Sequence, residues 1–525
     1  MKSVKILNNK KLLVQFKSKD KNEFFKILNK IKALPTEKRR FDNNLKCWFL
    51  KNDEQCNNLL NELGFEVTTV EIKQEFSIEL TNSIIFISNC VDDLLILQQE
   101  FVFDDYSYCY VGGRFDKSKI KKRTLLEIKE NIGILPIGFI QELTKILTKN
   151  NIKYFIKDNR KFEEIKISDD IIKNNLHYLE LYDYQIEAVK SCIENKNGII
   201  KLPTSAGKTE IFLSLCNILN IKTLILFSRI DLAKQTKDRA IKANLDTGIV
   251  QGNNIDEEHN IIMCTIQSAH KLQNKYDMVI VDECHRNQAK QYQKLLSNRN
   301  FKFRFGFSAT PFTKDKYKTA LTKRWLGDII YELPATELLD SGKIAEPIIK
   351  IIVVHKPISI QFCDWRNAEK LGIVSNEYRN ELIANIIKEE TGAFLVLVKK
   401  LKQGKLLEKI IPNAIFLNGN TDVDTRKKVA EDFENNKNIT IIASTIFDEG
   451  ISLNNIRNLI IAGGGKSEIK TIQRLGRGLR IKEDKDTVNV FDFYDYTNYF
   501  LEKHSAERIK TYQKEGFTNI TILNK

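Results

Sequence analysis

Leu202-Pro-Thr-Ser-Ala-Gly-Lys-Thr209 and, further along, Met278-Val-Ile-Val-Asp-Glu-Cys-His285 are the two stretches that decide how this chain folds. The β-rich run Gly198–Leu202 leads into the first stretch and the amphipathic segment Glu210–Asn220 follows it, so it is a loop joining a strand to a helix. Backbone N–H groups at a helix N-terminus face phosphate oxygens, and the helix dipole favours their negative charge. Pro203, Thr204, Ser205, Ala206 and Gly207 would line that site. Lys208 adds a flexible positive charge at the β- and γ-phosphates, and Thr209 offers a hydroxyl to Mg2+. A bare Gly-Lys-Thr also suits an ordinary loop-to-helix junction, and Leu202 stands where such loops usually carry their first glycine. The second stretch settles the choice. It is an apolar strand ending in two carboxylates, Asp282 to hold the Mg2+ shell and Glu283 to orient and activate water.

Working outward, short apolar runs alternate with amphipathic segments. Gly198–Leu202, Thr223–Phe227, Asn260–Cys264, Asp277–Val281 and Phe303–Phe307 form one series, with Leu232–Ala243 as another intervening helix. The rhythm restarts after Pro347 with Ala393–Val398, Ala414–Leu417, Ile439–Ala443, Leu459–Ala462 and Val488–Phe491. Such alternation implies parallel sheets covered on both faces, in two tandem α/β units. The region before residue 175 is different. Residues 1–50 hold fourteen Lys and Arg against four Asp and Glu, residues 51–110 are acidic, and Arg114–Arg123 is basic again. Two small α+β modules are expected there, joined near residue 80.

Composition excludes several classes. The chain has 525 residues, a net charge of +15, 42% hydrophobic and 29% charged residues, so it is neither disordered nor fibrous. No run approaches 18 consecutive apolar residues, so no membrane span is expected, and the lysine-studded N-terminus lacks a signal peptide's pattern. Nine scattered cysteines form no Cys-x-x-Cys pair, which reads as reduced thiols in a cytoplasmic protein. The positive charge points to a polyanionic partner, although the richness in Lys, Asn and Ile is partly what a low-GC gene would encode.

With these residues on the page, the sequence resembles the superfamily-2 helicases and translocases. Leu202–Thr209 is similar to their motif I and Asp282-Glu-Cys-His285 to a DExH-type motif II. Leu181-Tyr-Asp-Tyr-Gln185 resembles the Q motif, which implies that Tyr182 and Gln185 recognise the base of ATP. Thr223–Arg229 resembles motif Ia and Cys264-Thr-Ile-Gln-Ser268 the segment that touches the nucleic-acid backbone. The implied contacts are Arg229, Thr265, Gln267, Ser268 and, in motif V, Thr445; each side chain also suits a helix cap or strand end. Ser308-Ala-Thr310 resembles motif III, and the resemblance implies that His285, Ser308, Thr310 and Gln473 couple hydrolysis to movement. Ala443–Ile451 looks like motif V, placing Gly450 at the nucleotide, although Ser452 stands where many members carry an aspartate. Gln473-Arg-Leu-Gly-Arg-Gly-Leu-Arg480 is similar to motif VI, which implies that Arg477 and Arg480 act as arginine fingers from a second domain.

The implied fold is two tandem RecA-like parallel-sheet domains, residues 176–346 and 347–500, followed by a helical tail at 501–525. Ahead of them, Arg39–Trp48 resembles a HARP-type module (residues 1–80), and Tyr110–Asp116 with Ile134–Gly138 is similar to the UvsW-type N-terminal region (residues 81–175). Phe305–Thr310 and Gly342–Pro347 point to the UvsW and XPB-like branch. Arg114, Lys117, Lys119, Lys121, Lys122 and Arg123 are the candidate grip on duplex DNA, although the same residues suit a solvated charged loop. Phe41 and Trp48 are read as core residues of the small module, with stacking on bases as the alternative. The expectation is an ATP- and Mg2+-dependent monomeric helicase acting on branched or partly single-stranded DNA with little sequence preference, in replication, recombination or repair. A viral RNA-directed or transcript-release motor is the alternative, as is the motor subunit of a restriction nuclease, for which Glu127-Ile-Lys129 with Asp105 or Asp116 would be the nuclease site. The phage and large-virus resemblance suggests a viral gene, and then the host cytoplasm.

Overall fold

Thr223–Phe227 and Ile261–Thr265 are apolar along nearly their whole length and are buried at every position in the computed structural model of the chain, as strands covered on both faces must be. The structure describes residues 2–8, 11–18, 20–42, 47–65, 67–69, 75–107, 109–111, 114–355, 364–435, 439–444, 453, 455–465 and 486–524. It divides into two compact units, Met1–Arg160 and Lys161–Lys525.

In the larger unit the first sheet has eight strands. Their order is Asn254–Ile255, Thr247–Gln251, Ile261–Thr265, Thr223–Phe227, Met278–Asp282, Phe303–Ser308, Asn197–Lys201 and Ile329–Glu332. All neighbours are parallel except the first pair. Alternate side chains enter two separate cores. Ile200, Ile225 and Ile280 pack with Ile186 and Val189 of the helix Asp183–Asn195 and Phe212 and Leu215 of Lys208–Leu219. Ile199, Leu224 and Val279 pack on the other face with Tyr292 and Leu296 of Lys290–Asn298 and Trp325 of Lys316–Leu326.

The second sheet is parallel throughout, in the order Ile415–Leu417, Thr440–Ala443, Phe394–Leu397, Asn458–Ile461, Thr487–Asp495, Glu346–Val354 and Ile520–Asn524. The tail expected as helical is therefore corrected. A helix does run from Tyr499 to Lys514, but Gly516 (φ +80) reverses the chain and residues 520–524 add an edge strand to the sheet.

Among the described residues, the smaller unit holds two two-stranded ribbons, Tyr110–Val111 with Arg114–Phe115 and Val102–Asp105 with Lys121–Thr124, and two five-stranded sheets. The first, in the order Arg39–Asp42, Cys47–Lys51, Lys11–Phe16, Lys2–Asn8 and Val67–Thr69, carries the helices Lys21–Ala33 and Glu54–Glu62 on one face. The second orders Glu127–Lys129, Ile132–Pro136, Ile84–Ser88, Phe76–Leu80 and Tyr154–Asp158. Leu13 and Phe49 of the first sheet pack against Leu95 and Ile96 of the helix Val91–Gln98, which joins the two modules. Two expected boundaries move. Phe76–Leu80 belongs to the second sheet, so the joint lies before Phe76 rather than at residue 80. Residues 161–175 go with the larger unit, because Phe162, Ile165, Ile167 and Ile172 pack on its core. Among the described residues, no helix is long and apolar enough to cross a membrane.

Candidate nucleotide and nucleic-acid sites

Parallel strand order brings the chemistry together. Asn197–Lys201 lies beside Phe303–Ser308, which lies beside Met278–Asp282, with Lys201 opposite Ser308 and Asp282 opposite Phe307. Three carboxyl ends thus open on one edge of the sheet, where ligands of such sheets sit. The loop after Lys201 bends through left-handed conformations at Ser205 (φ +72) and Gly207 (φ +72), a geometry in which successive N–H groups form an anion-binding concavity. Glycine suits position 207, where φ is one that other residues adopt only with strain and a Cβ would also press on Gln185 Nε2. Lys208 opens the helix and its Nζ donates to the carbonyls of Leu202 (3.2 Å) and Pro203 (2.9 Å). Thr209 is the second residue of the same helix.

Gln185 is buried, and both ends of its amide are engaged within the chain. Its Oε1 accepts from the Tyr182 N–H (2.9 Å) and its Nε2 donates to the Ala206 carbonyl (3.2 Å). Tyr184 supplies a second donor to that carbonyl, at 3.1 Å. Tyr182 is exposed, stacks on Tyr184 with ring centroids 5.8 Å apart, and lies 4.0 Å from Lys343 Nζ. Tyr182, Tyr184, Leu338 and Lys343 border a cavity of about 470 Å3. Sequence reasoning passed over Tyr184 and Lys343. Tyr184 was in view inside the Q-like stretch, whereas Lys343 had no signal, since only the folded path of the segment after Ala335–Asp340 brings it over the ring.

The two carboxylates divide their properties. Burial, then the neighbouring Glu283, raise the Asp282 carboxyl above its ordinary range. Burial acts the same way on Glu283, but the His285 hydrogen bond, the Lys208 charge and Ser308 outweigh it and keep Glu283 low. His285 Nδ1 is 3.1 Å from Ser308 Oγ and 3.3 Å from Glu283 Oε2, Ser308 Oγ donates to Glu283 Oε2 at 3.3 Å, and the Thr310 N–H donates to Ser308 Oγ at 3.1 Å. Glu283 itself adopts a left-handed backbone (φ +51), a strained conformation for a non-glycine residue of the kind that gathers at functional sites. A half-buried pair of carboxyls with Lys208 as a nearby cation is a donor set that a divalent ion would complete, so the residues present fit Mg2+.

Arg229 caps the helix Ile230–Lys242 just past the strand Thr223–Phe227, and Thr265 ends the neighbouring strand, with Phe227 and Thr265 in register. Thr265 Oγ1 donates to Ser268 Oγ (3.3 Å), both hydroxyls being largely buried, while Gln267 is exposed between them. Thr445, Gly450, Gln473, Arg477 and Arg480 lie outside the described residues.

In the smaller unit Lys117, Lys119, Lys121 and Lys122 are exposed; Lys121, Lys122 and Arg123 sit on a strand antiparallel to Val102–Asp105, where Lys122 pairs with Asp104 and Arg123 with Asp105. The side chain of Arg114 is outside the description. The basic cluster is thus partly neutralised by an acidic strand. Trp48 is a core residue, but the expectation for Phe41 is corrected: its ring is exposed, 5.1 Å from that of Trp48.

Comparison with known proteins gives two family matches. Residues 178–313, from the Q-like stretch to motif III, match the family "Type III restriction enzyme, res subunit", and residues 377–482 match "Helicase conserved C-terminal domain". The DNA 3'-5' translocase XPB2 of Sulfurisphaera tokodaii is 29% identical over 399 residues, which is 64% of this chain and 86% of that one. The ATP-dependent DNA helicase uvsW of Enterobacteria phage T4 is 26% identical over 442 residues, 74% of this chain and 87% of that one. Among solved structures, the ATP-dependent Type ISP restriction-modification enzyme LlaBIII bound to DNA superposes with a TM-score of 0.50 at 14% identity, over 73% of this chain and 34% of that one, a likeness of fold.

Proposed function

Since the chain belongs to the superfamily-2 helicases, in the branch of the UvsW-type and XPB-like motors, we propose that it remodels branched or partly single-stranded DNA by unwinding, branch migration or annealing. It is an ATP-dependent DNA helicase. The observation that carries the reading is the convergence of Lys208, Asp282, Glu283, His285 and Ser308 at one sheet edge.

When bound, ATP with Mg2+ supplies the phosphoryl transfer that powers the motor. In this reading the loop Pro203–Gly207, through the backbone N–H groups of residues 204–207, and the Lys208 ammonium bind the phosphates, and Thr209 and Asp282 hold the metal. Glu283, kept ionised by His285, orients and deprotonates the attacking water. The path Glu283–His285–Ser308–Thr310 links the site to the adjoining turn, so these residues are the proposed coupling route, with Gln473 from the second domain. Tyr182 and the adjacent cavity receive the base, with Gln185 at its edge, and Gly450 approaches the nucleotide. Arg477 and Arg480 stabilise charge developing on the transferred group, and removing Arg477 should cost on the order of 10³-fold in rate. Arg229, Thr265, Gln267, Ser268 and Thr445 contact the nucleic-acid backbone, which gives little sequence preference and strong salt dependence. Exposed Lys117, Lys119 and Lys121 support a duplex-gripping role for the N-terminal unit, with a HARP-like module at its start.

Steady-state ATPase of wild type and Lys208→Ala tests the proposal. It is run with no nucleic acid, single-stranded DNA, duplex, forked DNA and single-stranded RNA, at low and high salt. Forked DNA should stimulate most, and Lys208→Ala should abolish the activity. Stimulation by RNA alone would replace the DNA reading with a transcript-directed one, and absence of hydrolysis throughout would sink both.

A further inference from the structure

Among the described residues of the second α/β domain two arginines are enclosed, Arg379 (0% exposed) and Arg508 (4%). A buried guanidinium needs a carboxylate and a full set of acceptors, and each has them. Arg379 Nε donates to Asp495 Oδ1 (2.7 Å), and Arg508 donates from Nε to Asp492 Oδ2 (2.8 Å) and from Nη2 to Asp492 Oδ1 (3.0 Å). Each then spends an Nη1 donor on the same turn. Arg379 holds the Ala462 carbonyl at 2.7 Å and Arg508 the Gly465 carbonyl at 2.9 Å.

That turn, Ala462-Gly-Gly-Gly465, follows the strand Asn458–Ile461. Three successive glycines would ordinarily make a loose linker, because glycine loses the most freedom on ordering. Here they are held. A Cβ at Gly463 would press on the Lys399 backbone nitrogen at 2.8 Å, and one at Gly464 would collide with Ile373. Gly465 has φ +132, which other residues rarely adopt. Gly463 N–H also donates to the Leu397 carbonyl (2.9 Å) and Gln403 Nε2 to that of Ala462 (3.3 Å). In sequence, Gly465 leads directly toward Gln473, Arg477 and Arg480.

We propose that Arg508, on the C-terminal helix, is a positioning residue for hydrolysis: with Arg379 it fixes the Gly465 turn and so sets where the segment carrying Arg477 and Arg480 leaves the sheet. The C-terminal helix is in this way part of the ATPase, although it touches no proposed reacting group. The inference rests on the finger role proposed for Arg477.

The test measures kcat and KM for ATP on the full chain with saturating forked DNA, beside thermal unfolding. Arg508→Lys keeps a cation for Asp492 but cannot also reach Gly465. Its kcat should fall between about ten- and a hundredfold, the scale of a misplaced catalytic group, with KM nearly unchanged. Tyr512→Phe is the control: it removes the hydroxyl that donates to Asp492 Oδ2 at 2.8 Å but leaves the Gly465 bond, so it should lower Tm and retain kcat. If Arg508→Lys does not fold, Gly465→Ala strains the same turn without touching either ion pair and should give the same kcat loss. Losses of kcat that simply track Tm across these variants would overturn the proposal. Arg477→Ala, run alongside, separates the two readings. If it hydrolyses ATP normally, the finger role fails and takes this inference with it. If it is inactive while Arg508→Lys and Gly465→Ala keep full kcat, the positioning role alone fails.

Discussion

At the scale of single residues, the catalytic candidates were legible because their chemistry constrains sequence locally. A phosphate loop must run from strand to helix, and a metal-holding aspartate must end an apolar strand. Side chains that steady those groups obey no such rule. Tyr184 reaches the Ala206 carbonyl only because the helix Asp183–Asn195 lies along the loop, and nothing in the sequence states that placement. Its hydroxyl is one of two donors to that carbonyl. Tyr184→Phe should therefore cost about 0.5–1.5 kcal/mol locally, seen as a rise of roughly two- to tenfold in KM for ATP, with kcat and Tm almost unchanged. Steady-state kinetics decide it: an unchanged KM would mean that Gln185 alone holds the loop. The engaged amide of Gln185 was equally illegible, since the sequence showed a glutamine at a familiar spacing but not which atoms it would bond.

At the scale of elements, strands announced themselves where apolar runs were long and flanked by polar residues, and disappeared where they were short or paired from afar. Thr247–Gln251 and Ile329–Glu332 escaped notice, and the Ile520–Asn524 strand was read as tail. The basic strand Lys121–Thr124 was legible as charge, but its acidic partner Val102–Asp105 was not, because pairing is a property of the folded sheet. The edge strand has an energetic role of its own. It covers Glu346–Val354, whose inner positions are buried, and shields a row of backbone donors and acceptors. Deleting residues 518–525 should leave nucleotide binding intact while driving self-association, measured by light scattering at rising protein concentration. A deletion variant as monodisperse as the parent would show that the edge needs no cover.

At the scale of the whole molecule, the tandem α/β plan was visible in the rhythm of the sequence, but the cut between units was not. Composition changes near residue 175, whereas packing changes after Arg160, with Phe162 set 5.2 Å from Phe303. A fragment of residues 161–525 should therefore fold cooperatively and hydrolyse ATP with single-stranded DNA, while losing any preference for forked DNA. A fragment starting at residue 176 should melt lower, since it lacks Phe162, Ile165, Ile167 and Ile172. Equal Tm values for the two, by calorimetry, would refute the boundary at Arg160. The same long-range wiring bears on how the protein is made. Glu346–Val354 leaves the ribosome well before either of its sheet neighbours, Thr487–Asp495 and Ile520–Asn524, exists. At about 5–20 residues per second, Ile349 waits on the order of ten to thirty seconds for Ile520. For that interval a bare, apolar strand hangs in the crowded space around the translating polysome, and folding helpers meet it before its partners do.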